Sequence, residues 1–247
     1  MSYRPTLTAA RHMISAGHYS AAHAGFQILE AGGNAIDAGV AAGIALKDKI
    51  PVGMSLPHRS LETITMDTVR TVAQRSEALG FSDLWVTENT LDNVFSFDPA
   101  LILTYAAAVT TRIRLGVAVV VLPTHNPSHI ASQYATLDYV SNGRAILGLG
   151  LGRDHHYKEF QIPKEHRLTR YREGVEILKA LWTQPSVNYA GSIYKLDGEG
   201  IVLKPVQKPH LPIWLGGNHP DAVRRAARWG DGWMAAGGSR SERCCGS

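Results

Sequence analysis

From Ile50 onward, short apolar segments typical of strands alternate with segments typical of amphipathic helices. This alternation predicts βα units, in which each helix crosses back over a parallel sheet. The segments with strand character are Val52 to Leu56, Asp83 to Thr87, Ile113 to Leu122, Arg144 to Leu149, Leu211 to Leu215 and Gly232 to Ala235. The third is almost continuously aliphatic, which is typical of a strand buried on both faces. The sequence therefore predicts an α/β protein with a parallel sheet.

Five helices are predicted between these strands from apolar spacing and from residues that favour helix ends. They are 66–79, Pro99 to Val109, Ser128 to Val140, Leu168 to Trp182 and Asp221 to Trp229. In the fourth, apolar residues recur every three or four positions and charged residues fill the rest of the helical wheel. The last begins after Pro220 and ends at Gly230, which matches the usual preferences of helix ends.

Composition and charge narrow the classes of function. The 247 residues are 45% hydrophobic and 19% charged, which suits one sizeable folded core. The net charge is +4, but basic and acidic residues are interleaved, so no nucleic-acid-binding stripe is expected. No apolar run approaches the roughly 18 residues of a membrane span, and a signal peptide is not indicated. The only cysteines are the adjacent Cys244 and Cys245, so we expect a cytoplasmic protein without a disulfide framework.

One long stretch carries a more specific signal. The fourth strand ends in Gly148-Leu-Gly-Leu-Gly152, Lys204 to Gly217 leads through the fifth strand, and Asp231-Gly-Trp233 follows. In this order, the motifs resemble the bacterial-luciferase-like flavin and F420 oxidoreductases over about residues 50–236. The resemblance implies a (β/α)₈ barrel of the TIM type. About six βα units are expected here, so the barrel is expected to be incomplete and truncated at its C-terminus.

The same resemblance implies the chemistry. The cofactor would be FMN, as reduced flavin, or coenzyme F420, and the substrate a small organic molecule oxidised with O₂ or through hydride transfer. A monooxygenase of this kind would use a flavin reductase or an F420 reductase as a partner. Family members usually dimerise through barrel helices, so a homodimer is a further expectation.

The N-terminal segment has a different character. Residues His12 to His18 and Ala24 to Gly43 are rich in alanine and glycine, and they resemble the N-terminal edge of gamma-glutamyltransferase. The expected organisation is a short helical extension over 1–48, a partial barrel over 49–236 and an irregular tail over 237–247. Transferase activity is not expected, because the region that carries that family's threonine nucleophile has no counterpart here.

In (β/α)₈ barrels the chemistry lies at the C-terminal ends of the strands. Glu88 and Asn89 follow the second strand, where the family often has Glu-His, and the resemblance makes them the candidate catalytic residues. Glu88 could orient a substrate or a ring edge, or it could only bond a neighbouring loop. Since asparagine lacks the titratable group of histidine, no general-acid role is expected at Asn89.

The end of the third strand supplies further candidates. By resemblance, Val120, Val121 and Leu122 would lie against the back of the flavin ring, at a strand end that can carry a bulge with a non-prolyl cis peptide. His125 and Asn126 could hydrogen-bond a phosphate or a ring carbonyl. Alternatively, Asn126 and the proline after it could simply start a turn.

Three glycines, Gly148, Gly150 and Gly152, suggest a nucleotide-binding motif at first sight. The dinucleotide fingerprint also needs a glycine three residues after the second one, where Arg153 stands, so that fingerprint is excluded. Glycines do allow the backbone to approach a planar ligand closely. We therefore predict these glycines and Arg153 as cofactor contacts.

A metal site formed by His155, His156 and Glu159 is not expected. No metal-binding helix motif surrounds these residues. Adjacent histidines also usually point apart.

Gly216, Gly217 and Asn218 join the fifth strand to the last helix. Unpaired N–H groups and the positive end of a helix dipole predict a site for a cofactor phosphate here. The alternative is a tight turn that merely requires glycine.

Two alternatives to a flavin or F420 enzyme remain. Six parallel strands cannot close an eight-stranded barrel, so the chain could be an inactive fusion fragment or an interaction module with two open sheet edges. It could also be another barrel enzyme that binds a phosphorylated substrate at Gly216 and Gly217.

Overall fold

A computed structural model describes residues 51–91 and 93–235. The predicted gamma-glutamyltransferase-like segment and the predicted irregular tail lie outside the described residues. The part from Gly53 onward belongs to a single structural unit.

The strands of the described part form one main sheet and two small pairs. In chain order they are β1 Gly53–Ser55, β2 Arg59–Ser60, β3 Asp83–Val86, β4 Phe95–Ser96, β5 Arg114–Val121, β6 Ala145–Gly150, β7 Val187–Ala190, β8 Lys195–Glu199, β9 Ile213–Gly216 and β10 Gly232–Met234. The main sheet has the order β1-β3-β5-β6-β9-β10, and all of its neighbouring strands are parallel. The antiparallel pairs are β2 with β4 and β7 with β8.

Helices connect the strands of the main sheet. They are α1 Met66–Leu79, α2 Pro99–Val109, α3 Pro127–Val140, α4 Asp154–Glu159, α5 Arg167–Thr183 and α6 Pro220–Trp229, with a 3₁₀ turn at Leu122–Thr124. The side chain of Thr65 accepts a hydrogen bond from the Thr68 N–H at the start of α1, and Gly80 ends the helix with φ of 82°. Within the described residues, no helix is both long and apolar enough to span a membrane.

The predicted α/β class and the incomplete barrel are confirmed, with six parallel strands in the described part and helices after the first five of them. Each of the six predicted strands and five predicted helices is present, with bounds that differ by a few residues. The pairs β2–β4 and β7–β8 and the short helix α4 were missed. The β7–β8 hairpin is mostly exposed, so it has little of the apolar pattern that identifies a strand.

The core lies between the sheet and the helices that cover it. Every residue of β6 is buried, as the glycine-rich and aliphatic sequence of a central parallel strand requires. Two buried aromatic side chains also donate hydrogen bonds inside this core. Trp182 Nε1 donates to the Ala131 carbonyl at 2.9 Å, and the Tyr171 hydroxyl donates to the Leu149 carbonyl at 3.0 Å.

Carboxylates on three helices each bind a loop that lies further along the chain. Glu77 accepts the N–H groups of residues 111–113, and Asp138 accepts the N–H and the side-chain amide of Gln207. Glu173 accepts the N–H groups of residues 192–194 at 2.8 to 3.1 Å. These bonds satisfy loop N–H groups that neither a helix nor a sheet pairs. The connections that lead towards β5, β8 and β9 are thereby fixed.

Candidate functional site

A cavity with a volume of about 650 Å³ lies at the C-terminal ends of the parallel strands. We call it the mouth. Its lining residues come from the ends of β3, β5, β6, β9 and β10 and from the loops and helices after them. They are Thr87, Glu88, Asn89, Ala118, Val119, Val121, Gly150, Leu151, Gly152, Arg153, His155, His156, Gly216, Gly217, Asn218, His219, Ala222, Arg225, Met234 and Ala235.

The end of β5 forms one wall of the mouth. The register between β5 and β6 shifts between Val117 and Val120, and the Ala118–Val119 peptide is cis. The bulge and the non-prolyl cis peptide implied by the family resemblance are therefore confirmed. Val119 and Val121 line the mouth, whereas Val120 packs in the hydrophobic core.

Glu88 ties the end of β3 to the end of β5. Its side chain is 6% exposed, and its Oε2 accepts the Val121 N–H at 2.7 Å. Its Oε1 lies 2.6 Å from Nε2 of His125. Glu88 thus bonds the neighbouring loop, as one of the two interpretations expected, while it also lines the mouth. Asn89 lines the mouth too, and its side-chain amide donates to the Thr87 hydroxyl at 2.6 Å.

Glycines form the floor of the mouth because larger residues would collide with its walls. A Cβ at Gly150 or at Gly152 would press into the side chains of Val119 and Val121, respectively. A Cβ at Gly216 would lie 3.1 Å from Cγ1 of Val119. The floor is therefore bare backbone beside two valine side chains, a shape that suits the face of a flat ring.

The short helix α4 forms the basic rim of the mouth. His155 and His156 have ring centroids 3.9 Å apart, so the expectation that they point apart was wrong. Nδ1 of His156 lies 3.0 Å from the Arg153 N–H and 3.3 Å from the Arg153 carbonyl, so this ring nitrogen is held by the backbone at the start of α4. No group of three or more His, Cys, Asp or Glu residues suited to a metal ion occurs among the residues that the structure describes.

Burial and the neighbouring His155 lower the pKa of His156 below its ordinary value of 6.5. We therefore expect His156 to be neutral at pH 7 and to titrate below pH 6.5 in the folded protein. Its ring signals in an NMR titration, assigned by their loss in His156→Gln, measure this directly. A midpoint at or above 6.5 would contradict the expectation.

The connection from β9 to α6 differs from the predicted phosphate cradle. The Gly217 N–H is not unpaired, because it donates to the Met234 carbonyl at 3.1 Å. The Asp221 N–H donates to Nδ1 of His219 at 3.2 Å. The prediction of unpaired N–H groups over Gly216, Gly217 and Asn218 is therefore wrong at Gly217, and at the start of α6 the Asp221 N–H has an acceptor as well.

Arg225 places a positive charge at the mouth, close to the β9–α6 connection. It lies on α6, is half-buried and lines the mouth. No carboxylate among the described residues forms an ion pair with it, whereas the exposed Arg224 pairs with Asp221 at 2.6 Å. A half-buried, unpaired guanidinium favours an anionic ligand.

The predicted site residues separate into two groups. Nine of them meet at the mouth: Glu88, Asn89, Val121, Gly150, Gly152, Arg153, Gly216, Gly217 and Asn218. Four do not line it: Leu122, His125, Asn126 and Gly148.

Each of the four has a different place in the fold. Leu122 is 1% exposed and packs beside Gly174. His125 pairs with Glu88, and the side chain of Asn126 accepts the Ser128 N–H at the start of α3. A Cβ at Gly148 would collide with the Val117 carbonyl, so this glycine allows close packing of neighbouring strands.

Sequence reasoning missed several residues of the mouth, above all Val119, His219, Arg225 and Met234. Arg225 lies three residues after Ala222, which places both residues on the same face of α6. Nothing in the sequence alone indicated that this face points to the mouth.

Comparisons with known proteins agree with this geometry. The family model described as luciferase-like monooxygenase matches residues 47–243. An F420-dependent glucose-6-phosphate dehydrogenase from Amycolatopsis mediterranei is 32% identical over 184 residues, which are 69% of this chain and 53% of that protein. The chain spans about half the length of the curated relatives that it matches.

Two solved structures share the fold. The monooxygenase RslO1 from Streptomyces bottropensis superposes with a TM-score of 0.67 at 26% identity, over 75% of this chain and 59% of that one. The second is a type II Baeyer-Villiger monooxygenase of Pseudomonas putida, the oxygenating constituent of 3,6-diketocamphane monooxygenase in complex with FMN. It superposes with a TM-score of 0.61 at 18% identity, over 72% of this chain and 54% of that one. At that identity the likeness concerns the fold alone.

Proposed function

The chain belongs to the luciferase-like monooxygenase family, and from this premise we propose that its mouth binds FMN or F420. The protein would then be an oxidoreductase that acts on a small organic molecule. The observation that carries the proposal is the mouth itself, which combines a floor of glycines with the guanidinium of Arg225, a group without a carboxylate partner in the described part of the chain.

The residues present fit such a cofactor. A volume of about 650 Å³ falls within the range of roughly 300 to 1,000 Å³ that is usual for small-molecule sites. Gly150, Gly152 and Gly216 line the mouth, and the space that their Cβ atoms would need is occupied by the side chains of Val119 and Val121. Glycine backbone and two valine side chains therefore form the surface offered to a planar ring. FMN and F420 both carry phosphate, for which Arg225 offers a counter-charge.

Each side chain has a defined task in this proposal. Val119 and Val121 supply apolar contact for the ring. Glu88 is a positioning residue, because it holds the Val121 N–H and His125 in place. His156 presents its imidazole ring to a ligand in the mouth, with Nδ1 held by the Arg153 backbone. When bound, reduced flavin supplies electrons for reaction with O₂, and F420 exchanges a hydride with the substrate.

The experiment is a titration of the purified protein with FMN, riboflavin and F420, followed by fluorescence and melting temperature. We expect saturable binding that raises the melting temperature. A folded sample that binds neither FMN nor F420 would support the interpretation as a non-catalytic fragment or interaction module. Binding of a sugar phosphate without any flavin would support another kind of barrel enzyme.

The phosphate role of Arg225 can be tested separately. We expect Arg225→Gln to weaken FMN binding by about tenfold, or about 1.4 kcal/mol, and to leave riboflavin binding unchanged because riboflavin lacks the phosphate. Arg224→Gln is the matched control, since Arg224 is exposed and does not line the mouth. Equal losses for FMN and riboflavin, or equal effects of the two variants, would contradict the assignment.

A further inference from the structure

His58 is a buried histidine that lies outside the mouth and has no task in the function proposed above. The residue is 7% exposed and lies between β1 and β2. Its own carbonyl accepts the Phe97 N–H at 3.0 Å, and the antiparallel pair β2–β4 starts at the next residue. Backbone pairing therefore fixes the main chain of His58.

Both ring nitrogens of His58 lie against other parts of the backbone. Nδ1 lies 2.6 Å from the Leu56 carbonyl oxygen, which can only accept, so Nδ1 carries a proton. In the neutral ring, Nε2 is then an acceptor. The Thr87 N–H donates to Nε2 at 2.9 Å, and the Thr87 hydroxyl lies 2.8 Å from the same atom. The ring thus links the segment after β1 to the segment after β3.

Thr87 begins the segment that leaves the sheet and forms a wall of the mouth. The paired part of β3 ends at Val86. Beyond it, side chains take over from the strand pairing. On the side of β1, His58 accepts the Thr87 N–H, and on the side of β5, Glu88 accepts the Val121 N–H. The wall is therefore held from both sides by side-chain bonds.

The bond to His58 also affects Asn89. The side-chain amide of Asn89 donates at 2.6 Å to the Thr87 hydroxyl, the same hydroxyl that lies beside Nε2 of His58. Thr87 and Asn89 both line the mouth, whereas His58 does not. A change at His58 therefore reaches the mouth through Thr87.

We propose that His58 is a positioning residue, which sets the place of Thr87 and, through the Thr87 hydroxyl, that of Asn89 in the wall of the mouth. His58 itself touches no ligand. Side chains that are already held in place lose less conformational freedom when a ligand binds. The effect of His58 on ligand binding rests on the function proposed above.

Two amide variants separate the two bonds of the ring. In His58→Gln the side-chain oxygen reaches the place of Nε2 and still accepts the Thr87 N–H. In His58→Asn the shorter amide reaches only the place of Nδ1, so the bond to Leu56 is kept and the bond to Thr87 is lost. We expect His58→Asn to weaken the binding of FMN or F420 by about fivefold, the equivalent of one neutral hydrogen bond. His58→Gln is expected to bind more tightly than His58→Asn.

His210→Asn is the matched control. The side chain of His210 is 10% exposed and its Nδ1 lies 2.9 Å from the Leu211 carbonyl, but the residue precedes β9, at the end of the sheet away from the mouth. A melting temperature for each variant reports general destabilisation. Equal losses of binding in His58→Asn and His58→Gln, or an equal loss in His210→Asn, would overturn the proposal.

An NMR measurement without ligand keeps this inference separate from the proposed function. In the wild-type protein at neutral pH, the ring-nitrogen signals of His58 should show a protonated Nδ1 and an unprotonated Nε2. The side-chain NH₂ signals of Asn89 should shift in His58→Asn and stay near their wild-type positions in His58→Gln and His210→Asn.

A proton on Nε2 of His58, or unmoved Asn89 signals in His58→Asn, overturns the proposal. If the wild type binds neither FMN nor F420, the proposed function fails, while these signals still decide whether His58 positions the wall of the mouth.

Discussion

Gly150→Ala is expected to weaken the binding of FMN and F420 by at least about tenfold, or about 1.4 kcal/mol. The added Cβ would press into Cγ2 of Val119. Val119 has few alternative rotamers because it is β-branched, so either its side chain moves into the mouth or β6 shifts. Both changes remove the flat floor that the proposed ring requires. Fluorescence titration of the variant, with its melting temperature as a check on folding, measures the effect.

A second substitution tests the cause of that loss. Val119→Ala removes the colliding methyl group, and the nearest remaining side-chain atom, Cβ, lies 3.4 Å from the added Cβ. We therefore expect the double variant to bind better than Gly150→Ala alone, a positive coupling between contacting residues. If the effects of Gly150→Ala and Val119→Ala on the binding free energy simply add, the collision between these residues does not explain the loss of binding. If Gly150→Ala binds as the wild type does, the floor is not a ligand contact.

Glu173→Gln is expected to lower the free energy of unfolding at pH 7 by about 3 kcal/mol. The carboxylate is fully buried and accepts the N–H groups of Ser192, Ile193 and Tyr194. An amide has only one acceptor oxygen, and its NH₂ group would face N–H donors. Chemical denaturation followed by circular dichroism measures the loss.

The same carboxylate predicts a pH dependence. Burial alone would raise the pKa of Glu173, but the three backbone donors outweigh it and hold the pKa below its ordinary value of 4.5. Its stabilisation is therefore present above pH 4.5 and is lost as the pH falls through the lowered pKa. We expect the stability of Glu173→Gln to decline less steeply on acidification than that of the wild type.

Glu176→Gln is the matched control for this prediction. Glu176 lies three residues further along α5 and is about half exposed, with Arg172 as its ion-pair partner. Exposed pairs of this kind contribute about 1 kcal/mol or less. A similar loss in both variants would show that the three backbone bonds of Glu173 do not account for its effect.

Sequence patterns predicted the architecture well because each pattern has a local cause. Alternating periodicities gave six parallel strands and the helices between them, and the sharp helix limits at Thr65 and Gly80 follow from their own backbone preferences. Parallel strands also place their C-terminal ends at one edge of the sheet. Glu88, Gly150 and Gly216 were therefore predictable as neighbours although they are far apart in the chain.

The direction of individual side chains at the mouth could not be read from the sequence in the same way. Val121 and Leu122 look equivalent in the sequence, yet Val121 lines the mouth and Leu122 is buried beside Gly174. The register shift in β5 and the 3₁₀ turn that begins at Leu122 decide which residue faces the cavity. The register shift belongs to the pairing of β5 with β6, which is a long-range contact.

By itself, the sequence determined the α/β class, the parallel strands and the edge of the sheet where a site would lie, because these follow from local periodicity and from the direction of the chain. Only the tertiary structure decided that Arg225 faces the mouth and that Glu88 is held by Val121 and His125. Each of these outcomes depends on how elements distant in sequence pack together, and packing sets the orientation of a side chain that the residue type leaves open.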